Sequence, residues 1–347
     1  MIELNSIINL RIFGPAFLSL IISYLTLPYF NRYMKAAGIV GIDIMKENGK
    51  KIPDMGGPGV ITGFLLGVFF FIAIEGFVYS RLEGIVYILA ALNTILIITL
   101  IGIFDTLTAL ISRREGRGFF EKYKKIGIPR WLYFFIPLPA AVPLSAVNAG
   151  VSKMNLPLIG VVELGLWYPL VLVPLAVLCC SNATNFLAGF NGLEAGMGFV
   201  MLTAIGAYAF IQNRINASII SLCFAFSLLA FLRYNWYPAK VFPGDLNYTI
   251  GAVVASVTII GNMEKFVILC FIPYVIEAFL KAASRFEAES YGILQDNGVV
   301  KPRNDKIRGL THLVMISGDF KEWQVSLILI IFELLVCLFA FIVIPYI

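Results

Sequence analysis

Apolar residues fall in ten long stretches, at 11–30, 59–79, 84–104, 131–147, 167–184, 193–212, 217–234, 248–262, 266–284 and 324–346, with polar residues gathered between them. The stretches lack the two-residue alternation of a half-buried strand and the one-sided stripe of a surface helix. A bilayer hydrocarbon core of ~30 Å asks for about 20 such residues per spanning helix. The pattern therefore predicts an all-α, polytopic membrane helical bundle of about ten transmembrane helices, a single integral membrane domain over 1–347. Two stretches are irregular: 131–147 contains Pro137, Pro139 and Pro143, and 248–262 is short. Prolines inside a span are tolerated where neighbouring helices satisfy the freed backbone groups. The first strong apolar run has no small-residue cleavage pattern and reads as a retained helix.

Composition agrees with this pattern. Only 14% of the 347 residues are charged, 59% are apolar, and mean hydropathy is +0.88. Soluble domains carry about 25% charge, so intrinsic disorder is excluded and a soluble globule is disfavoured. The five cysteines, Cys179, Cys180, Cys223, Cys270 and Cys337, all lie in apolar stretches without metal-ligand spacing, which argues against a disulfide framework or a zinc site. A single histidine, His312, rules out a site built on several imidazoles; it reads as a loop residue packed at the membrane edge.

The placement of charge adds topology. Segments 31–58, 105–130, 233–247 and 285–323 carry twenty of the 26 Lys and Arg, and Lys281 adjoins them; five, Arg11, Arg81, Lys153, Arg214 and Lys265, fall on the other side. Basic loops stay in the cytoplasm, so both termini are expected on the non-cytoplasmic side. The chemistry-bearing segments share the basic side: KENGKKIPDMGGPG at 46–59, with Lys46, Lys50, Lys51 and Asp54; GIFDT at 102–106; SNATNFLAGFNGLEAG at 181–196; NWYPAKVFPGDLN at 235–247; and KPRNDKIR at 301–308. One active face at the cytoplasmic membrane surface is the economical reading.

Asn182 and Asn185 are three residues apart and share a helix face. Amide oxygens, with a carboxylate from elsewhere, suit a Mg²⁺ ion whose shell is completed by phosphates and water. Gly189 and Gly192 would let backbone N–H groups approach a phosphate. Equally, Asn and Gly serve as ordinary caps and turn formers. Asp245, preceding the eighth stretch, reads alone as a helix N-cap. Asp105 continues a long apolar helix, where a carboxylate is costly unless it faces a polar cavity or a partner. Glu75, Glu277 and Glu333 are embedded and read as interior hydrogen-bond partners or interfacial residues. The basic loops satisfy topology and headgroup attraction without any site, although a minority of their cations could hold phosphate.

Together, NATNFLAGFNGLEAG at 182–196, NWYPAKVFPGD at 235–245, IPDMGGPGVITG at 52–63 and IGIFDT at 101–106 resemble the polyprenyl-phosphate N-acetylhexosamine-1-phosphate transferases. Within that family the motifs look most like the eukaryotic-type branch that makes GlcNAc-diphosphodolichol, with the resemblance running from about residue 38 to the end. The resemblance implies an enzyme that transfers GlcNAc-1-phosphate from UDP-GlcNAc to a polyprenyl (dolichyl) phosphate, releases UMP and needs Mg²⁺ (or Mn²⁺). It implies that Asn185 and Asp245 hold the metal and that Gly189 and Asn191 meet the uridine. Asp54, Asn182, Glu194 and Arg303 would contact the nucleotide-sugar, and Asp105 would act in catalysis. Lys124, Lys125 and Arg130 are candidates for the lipid phosphate. The expected partners are UDP-GlcNAc, the polyprenyl phosphate and the bilayer, with no nucleic acid; a homodimer is common in the family. Three departures stand out: Thr106 where a second acid is usual, Ala109 where an Asn is common, and KPRNDK in place of a His- and Arg-rich loop. The alternatives are a bacterial-type enzyme for another UDP-HexNAc or UDP-MurNAc-pentapeptide and, from another class, a transporter of anionic nucleotides or lipid phosphates.

Overall fold

The computed structural model describes residues 2–46, 51–81, 83–114, 134–156, 160–244, 246–286, 288–303 and 306–344. The candidates Asp245, Lys124, Lys125 and Arg130 lie outside the described residues. The helices are α1 (Ile2–Ala36), α2 (Gly57–Phe77), α3 (Ile85–Arg114), α4 (Val142–Ala146), α5 (Val173–Phe186), α6 (Leu193–Ile211), α7 (Ile215–Asn235), α8 (Leu246–Gly261), α9 (Glu264–Cys270), α10 (Ile272–Ala283), α11 (Leu310–Ser317) and α12 (Glu322–Val343). Among the described residues three antiparallel hairpins join them: β1–β2 (Val40–Ile42 with Lys51–Pro53), β3–β4 (Lys153–Leu156 with Gly160–Glu163) and β5–β6 (Gly292–Leu294 with Val300–Pro302).

The all-α membrane architecture holds, but the ten stretches are not ten equal helices. Among the described residues seven helices are long and apolar enough to cross a membrane, and α9–α10 make an eighth if taken as one span bent by 60°. The bend falls just before Pro273, which lacks an N–H and crowds the carbonyl four residues earlier. The described part of the 131–147 stretch holds helical residues at 134–135, a 3₁₀ turn (Leu138–Ala141) and the five-residue α4; Pro137, Pro139 and Pro143 interrupt it. The 248–262 stretch is α8, whose 16 residues reach only about 24 Å. It sits inside the bundle, with only Tyr248 and Ile260 not fully buried.

Packing is closest between α1 and α2, α6 and α7, α1 and α7, and α5 and α8. Gly59, Gly63 and Gly67 form a stripe on α2 against Leu27, Ser23 and Ser19 of α1, and a Cβ at any of them would collide with that partner. Small residues at such a seam let backbones approach closely, the main source of helix attraction in lipid. The embedded acids have interior partners, as expected: Glu75 pairs with Arg11, Glu277 accepts the Leu310 N–H at 2.6 Å, and Glu333 accepts the Cys337 Sγ–H at 3.5 Å. The chain runs up and down. The ends of α1, α3, α5, α7 and α10 and the starts of α2, α6, α8 and α12 therefore gather at one end of the bundle. Consequently α1 begins and α12 finishes at the opposite end.

Candidate active site

Three loops that are far apart in sequence knit into one block at that end. Phe242 donates its N–H to the Pro53 carbonyl (2.9 Å) and accepts that of Gly56 (2.9 Å), which joins the 235–244 loop to the 51–56 turn. Asn235 accepts the Gly192 N–H at 3.1 Å and donates to the Val241 carbonyl at 3.0 Å, which joins the 187–192 loop to the same block. Gly189 and Gly192 have φ of +120° and +78°, and a Cβ there would strike the rings of Tyr291 and Trp236. These glycines therefore serve left-handed backbone and close ring packing. The N–H groups of Gly189, Asn191 and Gly192 are already donated, to Glu194, Glu322 and Asn235.

A buried polar network lies beneath the 187–192 loop. The Asn191 N–H reaches Glu322 Oε1 at 3.1 Å, its amide Nδ2 reaches Asp43 Oδ2 at 3.2 Å, and its carbonyl accepts Ser326 Oγ–H at 3.0 Å. Lys46 Nζ lies 2.7 Å from Glu322 Oε2 and 3.8 Å from Asp43 Oδ2, and sits over the Tyr237 ring at 3.7 Å. The Met45 N–H closes the set on Asp43 Oδ1 at 3.2 Å. Sequence reasoning noted Lys46 but missed Asp43 and Glu322. Glu322 opens an apolar helix, where an acid reads as an ordinary first-turn residue. Asp43 lies in a short GIDIM segment with no periodic cue.

The candidate residues divide as follows. Asn182 is buried and its amide donates to the Phe134 and Leu178 carbonyls (3.0 and 2.8 Å), so it braces the end of α5. Asn185, on the next turn, is half-buried, and no described residue hydrogen-bonds its side chain. Next to it, Thr184 donates to the Asn247 carbonyl at 2.8 Å, tying α5 to the start of α8 two residues beyond Asp245. Glu194 is buried and accepts the Gly189 N–H at 2.8 Å. Asp54 is half-buried and caps the Met55 N–H at 2.8 Å. Asp105 is half-buried near the end of α3. Its neighbour Thr106 lines a narrow cleft with Met55, Pro58, Pro243 and Thr249, so the 101–106, 52–63 and 235–245 motifs meet there. Arg303 pairs with Glu289 at 2.7 Å on the wall of a separate cavity of about 310 Å³, shared with Lys46, Ile44 and the β5–β6 hairpin residues Gly292–Asp296. Among the described residues no group of three or more His, Cys, Asp or Glu could hold a metal; an ion here would lean on amide and phosphate oxygens.

His312 differs from its expectation. It lies on α11, not in a loop, and its buried Nε2–H donates to the Glu289 carbonyl at 2.8 Å. Because a carbonyl only accepts, Nε2 carries the proton. Burial pulls its pKa below the usual imidazole value, helped by the nearby Lys281 and Arg308, against the hydrogen bond to Glu289, which raises it.

The glycosyl transferase family 4 model matches residues 88–262, from α3 through α8. A Saccharolobus solfataricus protein is 35% identical, over 92% of each chain. This chain belongs to glycosyl transferase family 4. The S. solfataricus relative is provisionally named as a UDP-N-acetylglucosamine–dolichyl-phosphate N-acetylglucosaminephosphotransferase. The same name is carried by a Dictyostelium discoideum relative, 28% identical over 90% of this chain and 83% of its own. A Listeria monocytogenes phospho-N-acetylmuramoyl-pentapeptide-transferase is 28% identical over 67% and 68%. The family-4 match contains Asp105, Asn182, Asn185, Gly189, Asn191, Glu194 and Asp245; Asp54 and Arg303 fall outside it.

Proposed function

We propose that this family-4 membrane protein transfers GlcNAc-1-phosphate from UDP-GlcNAc to a polyprenyl phosphate of the dolichyl type, releasing UMP. That reaction opens lipid-linked oligosaccharide assembly for protein N-glycosylation. The likeness to the S. solfataricus relative, 35% over 92% of both chains, carries the reading. The site chemistry supports it. A cavity of about 310 Å³ lies in the range of small-ligand pockets; Arg303, half-exposed on its wall, would have to exchange Glu289 for a phosphate. On this reading the basic loop set faces the cytoplasm and the donor enters from there.

The residues fit a divalent ion. Asn185 offers an amide oxygen with no described partner, next to the α5–α8 contact that leads to Asp245. Asn185 and Asp245 would hold Mg²⁺, which supplies charge neutralisation on the diphosphate and the leaving UMP. Asp54 borders the nucleotide-sugar, Gly189 and Asn191 meet the uridine, and Arg303 holds the sugar phosphate. Asn182 and Glu194 support that loop from beneath. The acceptor needs little base catalysis, since a phosphate monoester with a second pKa of ~6 is already ionised near neutrality. Asp105 therefore orders the acceptor phosphate, with a cation from Lys124, Lys125 or Arg130 drawing it in. The test is to incubate the purified protein with UDP-GlcNAc labelled in its β-phosphate, a polyprenyl phosphate and Mg²⁺. Labelled lipid that disappears with EDTA is expected; no labelled lipid with any UDP-HexNAc would overturn the reading.

A further inference from the structure

Burying two carboxylates is expensive even with a half-buried ammonium beside them, and well-packed apolar side chains would often serve stability better. Here, however, every carboxylate oxygen of Asp43 and Glu322 is used, and three of the network's contacts converge on one residue, Asn191. A carboxylate only accepts hydrogen bonds, so the Asn191 amide must turn Nδ2 toward Asp43 and its oxygen away. The network thus fixes both the backbone and the polarity of the Asn191 amide. Lys46 also carries the network to the cavity wall it shares with Arg303.

We infer that Asp43 and Glu322 are positioning residues for donor binding, acting through Asn191 by holding the 187–192 loop and the Asn191 amide in one orientation. This deepens the proposed function and rests on it for the identity of the donor, UDP-GlcNAc. Asp43→Asn is the informative change: with its oxygen held by the Met45 N–H, the new amide presents its NH2 to Asn191, which can no longer donate there and must turn its own oxygen instead. Glu322→Gln sets an amide N–H against either the Asn191 N–H or Lys46.

The full chain in detergent or nanodiscs is titrated with UDP-GlcNAc by calorimetry, and its kinetics are followed against each substrate. Asp43→Asn and Glu322→Gln are expected to weaken UDP-GlcNAc binding and raise its KM about tenfold. Their effect on the polyprenyl-phosphate KM should be smaller than about threefold. In an Asn191→Ala background each change should add less than about twofold, because the residue it acts through is gone. Tyr168→Phe, which removes the 2.6 Å bond to Glu264 at the far end of the bundle, controls for destabilisation and should leave both KM values in place. Additive effects with Asn191→Ala, equal KM changes for both substrates, or unchanged donor binding would overturn the inference. Wild-type protein that binds UDP-GlcNAc without transferring from it would instead overturn the proposed function alone. Wild-type protein that binds no UDP-GlcNAc would overturn both.

Discussion

Replacing Lys46 by methionine keeps most of the aliphatic stem and removes the cation that Glu322 and Asp43 share. The side chains of Glu322 and Asp43 are only 2% and 3% exposed, whereas that of Lys46 is 21% exposed. The two acids therefore have little water to replace the lost ammonium. Removing one partner of a buried ion pair costs about 3–5 kcal/mol; the partial exposure of Lys46 puts this case near ~3 kcal/mol. Loss of the cation–π contact with Tyr237 adds roughly 0.5–1 kcal/mol. Thermal unfolding in a fixed detergent should show a midpoint lower by roughly 5 °C or more. If the cost is electrostatic, Lys46→Met/Glu322→Gln should regain part of it, because one uncompensated charge is gone. A Lys46→Met midpoint within about 1 °C of wild type, or a double variant that falls further than the single, would refute this view of the network.

Asn185→Ala should lower turnover about 100-fold or more while leaving the unfolding midpoint nearly unchanged, since no described partner loses a hydrogen bond; steady-state rates and a melting curve on the same preparation check this. Gly63→Leu drives a side chain into Ser23 and the α1 backbone, and should cost at least about 1–3 kcal/mol of stability, seen as a lower melting midpoint or loss of the monodisperse peak in size-exclusion chromatography. His312 has a lowered folded pKa, so the unfolded chain binds the extra proton first. Its contribution to stability is complete above about pH 6.5 and is lost as pH falls below that toward its folded pKa. His312→Gln should flatten the stability profile in that window, measured by melting between about pH 5 and 7.5.

The spans were legible because lipid imposes a crude rule: about 20 apolar residues in a row. Where the rule misled, a local cause can be named. Three prolines break 131–147, Pro273 follows the α9–α10 bend, and α8 is surrounded by protein, so it need not match the lipid thickness. The motif residues at 182–196 and 235–245 were legible as a resemblance, but their mutual packing was not. Asn191 finds Asp43 and Glu322 across 148 and 131 positions, and no periodicity reports such a meeting. The glycine stripe on α2 was not read from the sequence; the Ser19, Ser23 and Leu27 face of α1 gives Gly59, Gly63 and Gly67 their purpose.

Phosphosugar transfer differs from plain sugar transfer in its nucleotide product, UMP in place of UDP. Purified protein, UDP-GlcNAc, a polyprenyl phosphate and Mg²⁺ should release UMP in step with a lipid product that keeps the donor's β-phosphate. Release of UDP, or no nucleotide product that depends on the acceptor lipid, would mean that this protein does not transfer a phosphosugar.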